Sequence, residues 1–290
     1  MFSGALTAIV TPFRDGAVDE RALRELIEWQ IASSIDGIVP CGSTGESATL
    51  SHAEHERVIK IAIEQVRKRV PVVAGTGSNS TAEAIRLTAS AREMGADGAL
   101  LISPYYNKPT QDGIFKHYKM IAESVDLPLI VYNIPGRTGS NVAPETFARL
   151  CEVRNIVGIK EASGSMDQVS DIRRLCGDRL AILSGDDALT LPVMALGGKG
   201  VISTTSNALP REMHELAGCA IAGDFERARK IHYRMLPVMR ALFVETNPIP
   251  IKQALAFMGK CSNEMRLPLV AMTQGPADRL KSAMKELQLI

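Results

Sequence analysis

The 290-residue chain has almost no net charge. It carries 33 Lys and Arg against 32 Asp and Glu, a formal +1. A protein that grips nucleic acid through bulk charge needs a basic excess, so that class is excluded. No stretch approaches the roughly 18 apolar residues that a membrane-spanning helix requires, which argues against a membrane partner. The opening segment Met1–Phe13 has no basic start and only a short apolar run, unlike a secretory signal. Cysteines are few: Cys41, Cys151, Cys176, Cys219 and Cys261. They are odd in number, widely spaced and free of any CxxC pair, which excludes a disulfide framework and a structural zinc site. There is no HExxH, and only His52 and His55 lie close together, so a catalytic metal is not indicated. No GxGxxG follows an apolar run. The turn Gly42-Ser43-Thr44-Gly45-Glu46 can offer amides to an anion but lacks the lysine of a P-loop, which argues against nucleotide binding. These absences describe a reduced, cytoplasmic, soluble protein.

What the sequence does contain is a repeating pattern. Hydrophobic residues make up 46% and charged residues 22%, as in a folded domain. Length alone would suggest two domains, yet α/β barrels of about 250 residues form one. Short runs rich in Val, Ile and Leu recur roughly every 30 residues: 5–10, 37–40, 71–74, 98–102, 128–131, 156–159, 180–183 and 200–202. Within each run apolar residues are continuous rather than alternating, which suits strands buried on both faces of a parallel sheet. Helical spacing fills the gaps, as in Leu23, Leu26, Ile27 and Ile31, or Val58, Ile59, Ala62 and Val66. Ser51-x-x-Glu54 and Ser80-x-x-Glu83 read as capping boxes. Three runs share a beginning, Ile35-Asp36-Gly37, Ala96-Asp97-Gly98 and Gly198-Lys199-Gly200, a weak internal repeat of one βα unit. Eight such units predict a (β/α)8 TIM barrel over residues 1–224, with a doubly wound open sheet as the alternative. Residues 225–290 read as a small C-terminal helical domain, with helices over 224–244, 247–258 and 277–289.

In such a barrel the chemistry collects at the C-terminal ends of the strands. Just past the apolar runs stand Thr44, Tyr105, Tyr106, Tyr132, Arg137, Lys160 and the pair Asp186-Asp187. Lys160 closes an apolar strand. Burial there lowers a lysine's pKa, and the neutral amine can attack a carbonyl to form a Schiff base. A lysine in this place can equally snorkel out to solvent. Tyr132 can relay protons with hydroxyls such as Thr44, or can simply be a core tyrosine. Arg137, after a Pro-Gly turn, can hold a carboxylate in a bidentate pair or stand solvated.

Five ordered motifs, GSTGES at 42–47, SPYYNKPTQDG at 103–113, YNIPGRTG at 132–139, GIKEASG at 158–164 and LSGDD at 183–187, resemble the signatures of the dihydrodipicolinate synthase / N-acetylneuraminate lyase family along the whole chain. The resemblance implies a (β/α)8 barrel with a C-terminal helical domain. It also implies class I aldolase chemistry on pyruvate with no metal or organic cofactor, and a cytoplasmic homotetramer, a dimer of dimers. The branch it resembles most condenses pyruvate with L-aspartate 4-semialdehyde in lysine biosynthesis. Lys160 then matches the Schiff-base lysine, and Tyr132 the proton-shuttling tyrosine. Thr44 matches the hydroxyl linking two tyrosines, and Tyr106 the tyrosine that reaches a neighbouring subunit. Ser43, Thr44, Gly185 and Ile202 match pyruvate-pocket positions, Ser43 standing where many relatives have threonine. Arg137 matches the arginine that holds the semialdehyde's carboxylate. Ser47, Ala48, His52, His55, Asn79, Glu83 and Tyr105 match a feedback site for L-lysine. A sialic acid or keto-deoxy sugar acid lyase of the same family is the nearest alternative. The triplet Gly136-Arg137-Thr138 separates the two, because sugar-acid relatives generally lack that arginine. A non-catalytic barrel would be expected to lack Lys160 or Tyr132.

Overall fold

The computed structural model describes residues 2–290. Eight strands form one sheet: β1 (Gly4–Ala8), β2 (Gly37–Val39), β3 (Val73–Gly75), β4 (Gly98–Ile102), β5 (Leu129–Asn133), β6 (Ile156–Glu161), β7 (Ala181–Ser184) and β8 (Gly200–Ser203). Their order is β2-β1-β8-β7-β6-β5-β4-β3, and every pairing is parallel. A further parallel bridge, Ile38 to Val72, joins the two ends. The sheet therefore closes into the expected (β/α)8 barrel, and the open-sheet alternative falls.

Helices fill the outside: α1 (Glu20–Ala32), α2 (His52–Val66), α3 (Thr81–Met94), α4 (Gln111–Ser124), α5 (Pro144–Leu150), α6 (Met166–Cys176), α7 (Thr190–Ala195) and α8 (Pro210–Ile221). The apolar stripe of α1 buries Leu23, Leu26 and Ile27, and that of α2 buries Val58, Ile59, Ala62 and Val66. Three more helices follow, α9 (Phe225–Ala241), α10 (Ile249–Phe257) and α11 (Gln274–Glu286). Met235, Leu255 and Leu280 share one hydrophobic cluster with Ile9, Leu23 and Ile38, so these helices pack continuously with the barrel wall. None of the described helices is long and apolar enough to cross a membrane.

Side-chain direction follows the strand period of two. On β4 and β5, Leu100, Ile130 and Tyr132 join Leu6, Val39, Val73, Leu183 and Ile202 in the barrel interior. The intervening Ala99, Leu101, Leu129 and Val131 face the helices. Lys160 is paired with Tyr132 across β5 and β6, which puts both on the inner face. The narrow strand beginnings need glycine: a side-chain carbon on Gly200 would lie 1.9 Å from the Gly4 carbonyl oxygen. The Asp that precedes two of these glycines also has a task. Asp36 accepts from the Ala5 amide at 2.8 Å, and Asp97 from the Val72 amide at 2.9 Å, each tying a strand to its neighbour.

One local expectation changes, and one element is new. Ser51 and Glu54 close a full capping box. Ser80 caps α3, but the Glu83 side chain does not return to it. It turns instead to the Ser78 hydroxyl and the His52 ring, each of which holds one of its carboxylate oxygens. In addition, Phe13–Arg14 and Ala17–Val18 form a small hairpin over Asp15-Gly16, both at positive φ. The Asp-Gly pair is the signal that could have announced it.

Candidate active site

Tyr132 and Lys160 sit side by side because β5 and β6 are in register at these residues. The Lys160 Nζ lies 4.3 Å from the centre of the Tyr132 ring. Both side chains are buried, at 5% and 6% exposure. Burial disfavours the charged form and pulls the Lys160 amine down to about 8; Asp187 opposes this and Arg137 reinforces it. Burial pushes the Tyr132 phenol up to about 12, against the opposing pull of Arg137 and the Ser43 hydroxyl. The amine is thus partly neutral near physiological pH, beside a phenol that keeps its proton. Gly185 leaves room for this lysine, since a side-chain carbon there would stand 3.1 Å from Lys160 Cε.

A cavity of about 460 Å³ opens beside Tyr132. At one end it is lined by Ser43, Tyr132, Arg137 and Asn247, and at the other by Ser47, Ala48, His52, His55, Glu83 and Tyr105. Two groups of residues matched to separate sites therefore share one continuous space. Lys160, Thr44, Gly185 and Ile202 do not line it; they pack in the interior around Tyr132 and the turn after β2. The Thr44 hydroxyl bonds to Thr204 at 3.2 Å and accepts from the Asn247 amide at 2.9 Å, rather than meeting either tyrosine. Tyr106 is 88% exposed, has φ +70° and does not line this cavity. The Arg137 guanidinium donates to the Asn247 carbonyl at 2.9 Å.

At the far end, His52 Nε2 lies 3.0 Å from Glu83 Oε1, and Ser78 donates to Glu83 Oε2 at 2.5 Å. These contacts hold the Glu83 carboxyl below its ordinary value. Asn79 donates to the Tyr105 carbonyl at 3.2 Å. His55 is buried, its Nδ1 has no partner, and burial lowers its pKa.

Four polar residues close to the site had no role assigned from the sequence. Asp187 is buried, accepts from the Thr204 and Thr205 amides at 3.2 and 2.9 Å, and keeps Oδ1 unpartnered; burial raises its pKa. Its place in Ser184-Gly185-Asp186-Asp187 at a strand end was the available signal. Thr204 lies likewise just past β8. Asn247 and Lys252 carry no local signal, because they lie outside the barrel strands and reach the site only through the fold.

The model of the dihydrodipicolinate synthetase family matches residues 1–287, and the chain belongs to that family. The chain is 60% identical to the 4-hydroxy-tetrahydrodipicolinate synthase of Syntrophus aciditrophicus over 290 residues, all of both chains. Among solved structures it is similar to the chloride-inhibited dihydrodipicolinate synthase of Acinetobacter baumannii in complex with pyruvate. That match has a TM-score of 0.99, 45% identity and full coverage of both chains. It is also similar to the enzyme of Cyanidioschyzon merolae with lysine bound, with a TM-score of 0.97, 42% identity, and 100% and 99% of the two chains covered.

Proposed function

We propose that this protein is an enzyme that condenses pyruvate with L-aspartate 4-semialdehyde, giving 4-hydroxy-tetrahydrodipicolinate in lysine biosynthesis. The observation that carries the reading is the buried Lys160 amine, depressed to about 8 and set 4.3 Å from the Tyr132 ring beside a cavity that Arg137 lines. The neutral amine attacks the pyruvate ketone, and water leaves as the imine forms. Tyr132 moves the protons of these steps, assisted by Thr44 and by Tyr106 from a neighbouring subunit of a homotetramer. Loss of a methyl proton turns the imine into an enamine. Its carbon attacks the aldehyde, forming the new C–C bond, and the aldehyde oxygen takes a proton to become a hydroxyl. The semialdehyde's own amine then attacks the imine carbon. The ring closes and the Lys160 amine is released. Ser43, Thr44, Gly185 and Ile202 surround pyruvate, and Arg137 orients the semialdehyde's carboxylate. The iminium supplies the electron sink.

The other end of the cavity is the proposed feedback site for L-lysine. Glu83 pairs with the ligand's α-ammonium, Asn79 and the Tyr105 hydroxyl take its carboxylate, and Ser47, Ala48, His52 and His55 receive the rest. The relative with lysine bound supports this reading. Borohydride reduction with pyruvate tests the catalytic core. One pyruvyl group on Lys160, and product only when both substrates are present, is expected. Label on another lysine, or no consumption of the semialdehyde, overturns it.

A further inference from the structure

Lys252 and Glu46 form an ion pair with both side chains fully buried, Nζ to Oε1 at 2.6 Å. The condensation uses neither. Apolar residues of similar volume commonly serve stability as well as such a pair, so its presence calls for another account. Glu46 sits in the turn Gly42–Ser47 at φ +54°, a left-handed backbone that a residue other than glycine keeps only when its surroundings hold it. Its second carboxylate oxygen accepts from the Arg266 amide at 3.4 Å. Lys252 Nζ also lies 4.3 Å from the centre of the Phe13 ring, which fixes it from the other side. Thr44 precedes Glu46 by two residues, and its hydroxyl is held by Asn247, which stands just before α10. The same residue accepts from Arg137 through its carbonyl. One stretch of chain, 247–252, thus grips the site at Thr44, Arg137 and Glu46.

We propose that Lys252 is a positioning residue: through Glu46, and together with Asn247, it holds the Gly42–Ser47 turn so that Ser43 stays in the cavity wall beside the catalytic tyrosine and Thr44 stays on its Thr204 and Asn247 partners. This rests on the roles of Lys160 and Tyr132 given above. The double variant Glu46→Gln with Lys252→Met removes both charges together and keeps much of the shape, so it should fold with a Tm within a few degrees of wild type. At saturating pyruvate it should still give the borohydride-trapped adduct on Lys160. Its kcat should fall roughly 10- to 100-fold, the usual cost of an ångström-scale misplacement, with a raised KM for pyruvate. A kcat and KM within about twofold of wild type, whatever happens to Tm, overturns the proposal. Should the double variant not fold, Glu46→Asp keeps the charge and shortens the tether. It should lower kcat with adduct yield unchanged, and a wild-type kcat there overturns the proposal equally. Absence of the adduct in the wild-type enzyme would instead refute the underlying catalytic reading.

Discussion

Replacing Lys160 by Met should abolish activity and make the protein more stable at neutral pH. The amine falls from an ordinary 10.5 to about 8 because burial penalises its charge. At about 1.36 kcal/mol per pH unit, that difference amounts to about 3 kcal/mol. The folded pKa lies below the unfolded one, so the unfolded chain holds more protons between pH 8 and 10.5, and stability rises with pH across that window. Below pH 8 both states carry the proton, and the folded protein bears the full penalty of a buried ammonium. Met is of similar length, packs with the apolar neighbours and has no charge to desolvate. The variant should therefore gain about 3 kcal/mol at pH 7.5, roughly 5–10 °C in Tm. By pH 9.5 the wild type has shed the proton, and the gain should shrink to about half. Thermal melts of both proteins at the two pH values check this. A variant no more stable than wild type, or a gain that does not change with pH, would refute the claim that Lys160 is held in a costly, partly neutral state.

Tyr132→Phe should fold normally, since it loses only a hydroxyl, and should lower kcat by about 10²–10⁴-fold; activity within about threefold of wild type would remove the tyrosine from the relay. Arg137→Ala should raise the KM for the semialdehyde about 10- to 100-fold, through loss of a charge-assisted pair. It should also move the pH profile of pyruvate imine formation upward, because Arg137 helps hold the Lys160 pKa down; equal losses on both substrates and an unmoved profile would make it structural. L-Lysine should inhibit the wild type at millimolar concentration, and Glu83→Ala should abolish that effect. The exposed His52–Glu83 pair contributes little to folding, about 0–1 kcal/mol, so the variant should melt near wild type. A wild-type rate insensitive to lysine would end the regulatory reading.

Local pattern carried most of the architecture. Continuous apolar runs marked all eight strands, because a strand buried on both faces needs apolar side chains in both directions. The runs stopped short where β5 and β6 continue into Tyr132-Asn133 and Lys160-Glu161, polar residues that a hydrophobicity reading takes for loop. Those are the residues at the chemical end of the barrel. Asn133 and Glu161 face outward, bonded to each other at 3.0 Å, while their neighbours Tyr132 and Lys160 face in. The period of two alone separates them. The motifs and the barrel were therefore written in the sequence by itself, since periodicity and strand-end position are properties of nearest neighbours along the chain. Partnership was decided only by the tertiary structure. Glu83 reads locally as a cap, yet it bonds to His52, 31 residues away. Glu46 reads as part of a glycine-rich turn, yet its charge is answered by Lys252, 206 residues away. Thr44 waits on Asn247. A buried polar group must find its partner somewhere. Which partner it finds depends on how barrel closure and the packing of α10 bring distant segments together, and no local spacing encodes that.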